Sequence, residues 1–292
     1  MLRVIVILAV AGVVAWMLWR RLGSRRGAPA GDLAAGNPAA GDSPSEDSPS
    51  EDSAAALLED HVRLWRRLPP PLQQRLLPRL KEFLRRIPFE GAHGFVVTPA
   101  MRTAIAAQAC IVTLGYEDFP FDALHGITLH PDEFLVEESE EDEETGVVTE
   151  SYRALAGQAH GSDRIVLSWR DVEESQSRDD GYNVVIHEVT HFLEYSHPGG
   201  DPVAHAALAA SHEALCDAVD RGEDTLLDPY GAEDLTEFLA VAAEFFFERP
   251  IELRDRHPTL YVVLRDSFRL DPASWGVSPA SGDGIAAGKV SS

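Results

Sequence analysis

The sequence predicts an α+β protein, mainly helical with a small sheet, preceded by an N-terminal transmembrane helix and a disordered linker. Three observations predict this. Apolar residues recur at helical spacing through most of residues 57–114 and again through 183–268. Between them, residues 116–170 carry short runs of β-branched and apolar residues separated by turn-forming positions. Ahead of both stand an apolar run and a polar low-complexity stretch.

Residues 2–19 are almost wholly apolar, with Arg3 as the one charge. A helix of this length spans roughly 27 Å, close to a bilayer core. Trp16 and Trp19 sit at one end, as interfacial aromatics do. Arg20, Arg21, Arg25 and Arg26 follow, so the positive-inside bias puts the rest of the chain in the cytoplasm, on an inner or cytoplasmic membrane. A secretory signal cut near Ala28-Pro29-Ala30 is the rival, but a signal carries its charges before the apolar run. Residues 1–26 thus read as a membrane anchor. Residues 27–55 are rich in Gly, Ala, Pro, Ser, Asp and Glu and hold the near-repeat Asp42-Ser43-Pro44-Ser45-Glu46, Asp47-Ser48-Pro49-Ser50-Glu51. They read as an acidic linker that lacks the apolar surface to offset its ordering entropy.

The folded domain is expected over residues 56–272. Leu58, Val62, Trp65 and Leu68 mark a first helical face, broken at Pro69-Pro70-Pro71. Leu76, Leu80, Phe83, Leu84 and Ile87 mark a second, ended by Pro88. Gly94-Phe95-Val96-Val97 is expected as a short strand. Thr98 then caps a helix with Pro99 at its first position; that helix, Ala100 to Leu114, is apolar all round and is expected to be buried. Short strands are expected at 127–129, 134–136, 147–158 and 164–169. The acidic run 137–144 reads as a solvated loop, and 171–181 as a polar connection. Helices follow at 202–219, 235–249 and 259–268, and residues 273–292 read as a disordered tail.

The net charge of −23, part of it in the stretches read as linker and solvated loop, argues against a nucleic-acid binder, which needs a basic face. Cys110 and Cys216 are the only cysteines and lie in separate helical runs, so they read as buried small residues rather than a disulfide.

The most informative stretch is Asn183 to Glu194, which contains H-E-x-x-H in a helical run. Residues four apart on a helix lie about 40° apart around its axis and about 6 Å apart along it. His187 and His191 therefore project from one face and can hold one zinc ion, with Glu188 placed to take a proton from an attacking water. A catalytic zinc usually keeps three protein ligands. His197 has the spacing of a metzincin third ligand, but Glu194 occupies the glycine position of that motif, and Met1, Met17 and Met101 leave no downstream methionine turn. The other candidate is Glu237. It shares a face with Glu244, seven residues on, in an otherwise apolar helix, and two carboxylates on a buried face need partners. A zinc ion and its surroundings supply them. Gln108, inside the buried helix, reads as a satisfied core amide or a support for this site.

Taken together, several segments resemble the Mlc titration factor A family of zinc-dependent peptidases. They are Thr98-Pro99-Ala100-Met101-Arg102 through Cys110, Ile165-Val166-Leu167-Ser168-Trp169, Gly181-Tyr182-Asn183-Val184-Val185-Ile186-His187-Glu188 to His191, Asp228-Pro229-Tyr230-Gly231-Ala232, and Glu237 to Val241. The resemblance spans roughly residues 57–272. It implies a zincin-like metallopeptidase domain with a gluzincin-type site: His187, His191 and Glu237 as zinc ligands, Glu188 as general base and Tyr230 as a second catalytic group. Val189, Thr190 and Glu194 stand where the family tends to have Phe, Ala and Asp.

The expected activity is hydrolysis of peptide bonds in a peptide or protein substrate, with the strand at Ile165 to Trp169 a candidate to pair with extended substrate. The resemblance also implies an alternative, because the family's namesake binds a transcriptional repressor. In that reading the chain is a regulatory module that sequesters a cytosolic protein partner at the membrane.

Overall fold

The computed structural model describes residues 51–132, 134–141, 148–155, 157–160, 163–196 and 202–275. The expected membrane span, most of the linker, His197 and the expected tail beyond 275 lie outside them, whereas Trp275, read as part of that tail, is buried in the core. Among the described residues no helix is long and apolar enough to cross a membrane.

The described chain is mainly helical with a small sheet, as the sequence predicts. It opens with α1 (Glu51–His61), α2 (Arg63–Arg67) and α3 (Pro70–Arg86). Helix α1 takes in the last residues of the stretch assigned to the linker; the run Ala54-Ala55-Ala56 has the highest helix propensity available. Pro70 begins α3, where its missing N–H costs nothing. The strand β1 (Phe89–Gly91) and a 3₁₀ turn (Ala92–Gly94) follow. The sequence places that strand at 94–97, and the structure moves it. His93 and Gly94 take positive φ, 52° and 82°, and the chain turns back so closely that a Cβ on Gly91 would sit 1.7 Å from the Phe95 carbonyl oxygen. A strand cannot run through that reversal, and Val96 beyond it is exposed.

Helix α4 (Pro99–Val112) starts as expected: the Thr98 hydroxyl accepts a hydrogen bond from the Met101 N–H. Every residue from Thr103 to Val112 is buried, so α4 is the central post of the domain, packed by α1, α3 and the helix α6 described below. Arg79 and Arg75 on α3 donate to the carbonyls of Thr113 and Leu114, which terminates α4 by satisfying groups its own ladder leaves open.

The main sheet has the order β1, β2 (Gly126–His130), β6 (Arg164–Ser168), β5 (Gly157–His160). The first three strands are parallel, and β5 pairs antiparallel with β6. Ile127, Leu129, Ile165 and Leu167 alternate into the core at period two. Strands β3 (Phe134–Glu141) and β4 (Val148–Leu155) form a separate antiparallel hairpin. The acidic run expected as loop therefore pairs through Glu141 opposite Val148, because backbone pairing with β4 outweighs the weak strand propensity of glutamate.

The segment read as a polar connection is instead largely α5 (Trp169–Ser177). Ser168 caps it by accepting from the Asp171 N–H, and Asp171, Val172 and Ser175 form its one buried face. After it come α6 (Val184–Ser196), α7 (Pro202–Asp220), a 3₁₀ turn (Pro229–Ala232), α8 (Leu235–Glu248), α9 (Pro250–Arg256) and α10 (Pro258–Phe268). Helices α6 and α8 pack side by side, and behind α8 the rings of Phe246, Phe247, Tyr261, Phe268 and Trp275 cluster.

Gly181 fixes the entry to α6. Its φ is +93°, and a Cβ there would lie 2.5 Å from the Phe245 ring of α8. Gly222, with φ +66°, has open space around its missing Cβ. The Gly181→Ala variant is expected to lose about 2–3 kcal/mol, from backbone strain plus displacement of a packed ring, and Gly222→Ala only about 1 kcal/mol, from strain alone. Urea denaturation of the two variants measures the difference.

Candidate metal centre

The sequence places Asn183 immediately before α6, and it acts there as the helix cap: its Oδ1 accepts from the N–H groups of Val185 and Ile186, each at 3.2 Å. One turn on, His187 and His191 project from the same face of α6, ring centroids 4.7 Å apart. On α8, Asp234 caps the first turn by accepting from the Thr236 and Glu237 N–H groups, which sets Glu237 at the mouth of the α6–α8 contact.

The two helices bring His187, His191 and Glu237 to one point. His187 Nε2 lies 3.0 Å from Glu237 Oε2 and 3.0 Å from His191 Nε2, and His191 Nε2 lies 3.4 Å from Glu237 Oε2. A tetrahedral zinc with bonds of about 2.0–2.1 Å holds its ligand atoms about 3.3 Å apart, so the spacing suits such an ion. All three side chains are mostly buried. The orientation suits it too. His187 Nδ1 lies 2.8 Å from Glu244 Oε1, so its Nδ1–H donates to that carboxylate and Nε2 is the atom turned toward the other two ligand atoms. His187, His191 and Glu237 together offer three ligand atoms that could hold one divalent cation.

The charges lean on one another strongly. Burial works against an imidazolium at His187, but the carboxylates of Glu237 and Glu244 outweigh it and raise the pKa well above 6.5. Burial likewise works against a charged Glu237, but His187 and His191 pull its carboxyl well below the usual range. Glu188 is different. It is buried, its Oε2 has no hydrogen-bond partner, and burial pushes its carboxyl from 4.5 to about 7. Tyr230 stands on the 3₁₀ turn that precedes α8, held by Asp228 accepting from the Tyr230 N–H, with its ring 6.0 Å from that of His187.

His187, His191, Glu237, Glu188 and Tyr230, singled out in the sequence, therefore lie close together. Three more belong with them. Glu244 was legible as a carboxylate on the face of Glu237; its contact with His187 was not. Gln108 is both of the things its position suggested: buried, donating to the Ala104 carbonyl, and accepting from Asn183 Nδ2 at 2.8 Å and Gln176 at 2.9 Å. Glu248 accepts from Asn183 Nδ2 at 2.7 Å. The spacing of Glu237, Glu244 and Glu248 already put all three on one face of α8. Strand β6, read as a substrate partner, is paired on both sides, with β2 and with β5. The strands at the two ends of the sheet are β1 and β5, and β5 runs beside α6.

Two helices thus bring H-E-x-x-H and a later glutamate to one point, and comparison with known proteins shows the family to which the chain belongs. The profile of the family described as glucose-regulated metallo-peptidase M90 matches residues 43–269. An uncharacterized protein of Synechocystis, slr2042, is 31% identical over 230 residues, covering 74% of this chain and 83% of its own. Proteins named Mlc titration factor A from Yersinia pestis and Yersinia pseudotuberculosis are each 29% identical over 218 residues, covering 70% of this chain and 80% of theirs. The chain belongs to the M90 metallopeptidase family, the family of the Mlc titration factor A proteins.

The raised carboxyl of Glu188 has a signed effect on stability. Between pH 4.5 and about 7 the unfolded chain ionises Glu188 while the metal-free folded chain keeps it protonated, so stability falls as pH rises and then levels off. Glu188→Gln removes that penalty. In metal-free protein the variant is expected to match the wild type below pH 4.5 and to exceed it by up to about 3 kcal/mol above pH 7. Urea denaturation across this pH range, with a chelator present, checks it.

Proposed function

We propose that residues 56–272 form a zincin-like, zinc-dependent peptidase domain of the gluzincin type. The observation that carries this reading is the convergence of His187, His191 and Glu237 beside a buried, unpartnered Glu188 oxygen in a chain of the M90 family. His187, His191 and Glu237 would hold the zinc. When bound, zinc supplies a water whose pKa is lowered to about 7 and an electrophile for the substrate carbonyl. Glu188 takes the proton as the water attacks a peptide carbonyl and then delivers it to the leaving nitrogen. The same burial that raises its carboxyl in the metal-free site suits it to both halves of that transfer. The Tyr230 hydroxyl donates to the oxygen on which negative charge develops. An extended substrate adds to the sheet along β5, which pairs with β6 alone among the described residues.

We place this domain at the cytoplasmic face of an inner or cytoplasmic membrane. The support is in the sequence: the apolar run 2–19, the four arginines after it, and the polar stretch that separates them from the domain.

A second reading has its own observation. The name Mlc titration factor A describes relatives that titrate a protein, Mlc. On that pattern the chain is a regulatory module that holds a cytosolic protein partner. Glu188 favours hydrolysis, because a site that only binds has no use for a buried base.

The test is zinc analysis together with digestion of a peptide library by wild type and Glu188→Gln. Wild type is expected to hold zinc and cleave. Glu188→Gln is expected to keep the zinc and lose cleavage by about 10²-fold or more. Zinc retained in both, with no cleavage by either, overturns the peptidase reading in favour of the sequestering one.

A further inference from the structure

Behind the metal centre a buried polar chain leads away from it to the N-terminal helices. Glu244 and Glu248, one turn apart on α8, both bind Asn183: Glu244 accepts its backbone N–H, and Glu248 accepts its Nδ2–H at 2.7 Å. The Glu248 side chain is 1% exposed, so its charge needs a partner. Arg63, on α2, supplies one: its Nη2 lies 2.6 Å from Glu248 Oε2. Arg67, one turn on, donates to the Glu248 carbonyl at 2.8 Å. Arg63 also reaches the segment that enters α6. Its Nη1 donates to the Arg178 carbonyl, and its backbone N–H donates to Gln176 Oε1 at 3.1 Å. Gln176 in turn donates to Gln108 Oε1, which also accepts from Asn183.

The arrangement fixes one helix against the other. Two ligands come from α6 and the third from α8, so a slight rotation of α6 about its axis opens the set. Asn183 caps α6 one turn before His187 and is held to α8 by two carboxylates. Arg63 belongs to neither helix, yet it grips the end of α8 and the approach to α6 at once.

We infer that Arg63, Glu248 and Asn183 are positioning residues for the metal centre, so that zinc affinity depends on the docking of helix α2 some distance from the ligands. This rests on the zinc reading of His187, His191 and Glu237. None of the three touches the metal or the substrate. They act by holding the start of α6, and through Glu244 the ring of His187, in the orientation that binding requires. Partners of this kind that orient a ligand typically carry tenfold to a hundredfold in metal affinity.

The experiment uses the full chain in detergent. Zinc affinity is measured by chelator competition, and the ligand geometry by the visible absorption of the Co2+-substituted protein. The variants are Glu248→Gln, Arg63→Met, Arg63→Lys and the double variant Arg63→Met/Glu248→Gln, with thermal unfolding recorded for each. Glu248→Gln and Arg63→Met are each expected to weaken zinc binding about tenfold or more and to alter the cobalt spectrum. Arg63→Lys is expected to recover part of the affinity, and the double variant to lose little beyond either single one, because both break the same chain. If the folded variants bind zinc within about twofold of wild type and keep its cobalt spectrum, whatever their thermal stability, the inference is overturned. Should Glu248→Gln not fold, Arg63→Met decides alone, since its side chain is partly exposed. A wild type that binds no zinc fails earlier and differently: it removes the metal reading itself.

Discussion

The burial of three carboxylates along one face of α8 is the constraint around which the domain is built. Glu237, Glu244 and Glu248 lie on a helix whose remaining length from Phe238 is almost wholly apolar and buried. An unpaired charge in such a place is strongly destabilising, whereas a paired one is tolerated. Each glutamate therefore has a designated partner from elsewhere in the chain: the two histidines of α6 for Glu237, His187 again and the Asn183 N–H for Glu244, Asn183 and Arg63 for Glu248. Helix α6 must lie where it does because those partners are on it. The site is less an addition to the core than the means by which an acidic helix can be part of the core.

The same residues explain how neighbouring carboxylates come to ionise so differently. Glu237 faces two imidazoles and stays ionised. Glu188, one residue along α6 from His187, is buried with one oxygen unpartnered and keeps its proton to a higher pH. The surroundings, not the side-chain type, set the pH at which each gives up its proton.

Much of this was legible in the sequence, and the exceptions have physical causes. The histidine spacing on α6 and the glutamate spacing on α8 follow from helix geometry alone, and the buried helix α4 follows from its apolar circumference. Strand β1 was misplaced because Phe95-Val96-Val97 has strand composition, while the turn at Gly91 to Gly94 depends on a backbone approach that composition does not encode. Helix α5 was hidden because its buried face includes the polar residues Asp171 and Ser175, which leaves Val172 alone to mark it as apolar. The extension of β3 through glutamates depends on a partner strand, a non-local fact. Arg63 carried no signal at all, since its partner lies at the far end of the domain in sequence and only the fold brings them together.

Helix α4 has one more consequence. Its buried length, Thr103-Ala104-Ile105-Ala106-Ala107-Gln108-Ala109-Cys110, is mostly small side chains, which lets α1, α3 and α6 approach its backbone from several directions. It works as a spacer whose thickness sets the gap between those neighbours. A bulkier side chain at Ala106 or Ala107 has nowhere to go in a close-packed interior, so it would wedge the neighbours apart and shift α6 bodily. Tolerance to change in this domain is therefore inverted from the usual pattern: its plainest residues are among its least replaceable, because they hold dimensions rather than chemistry.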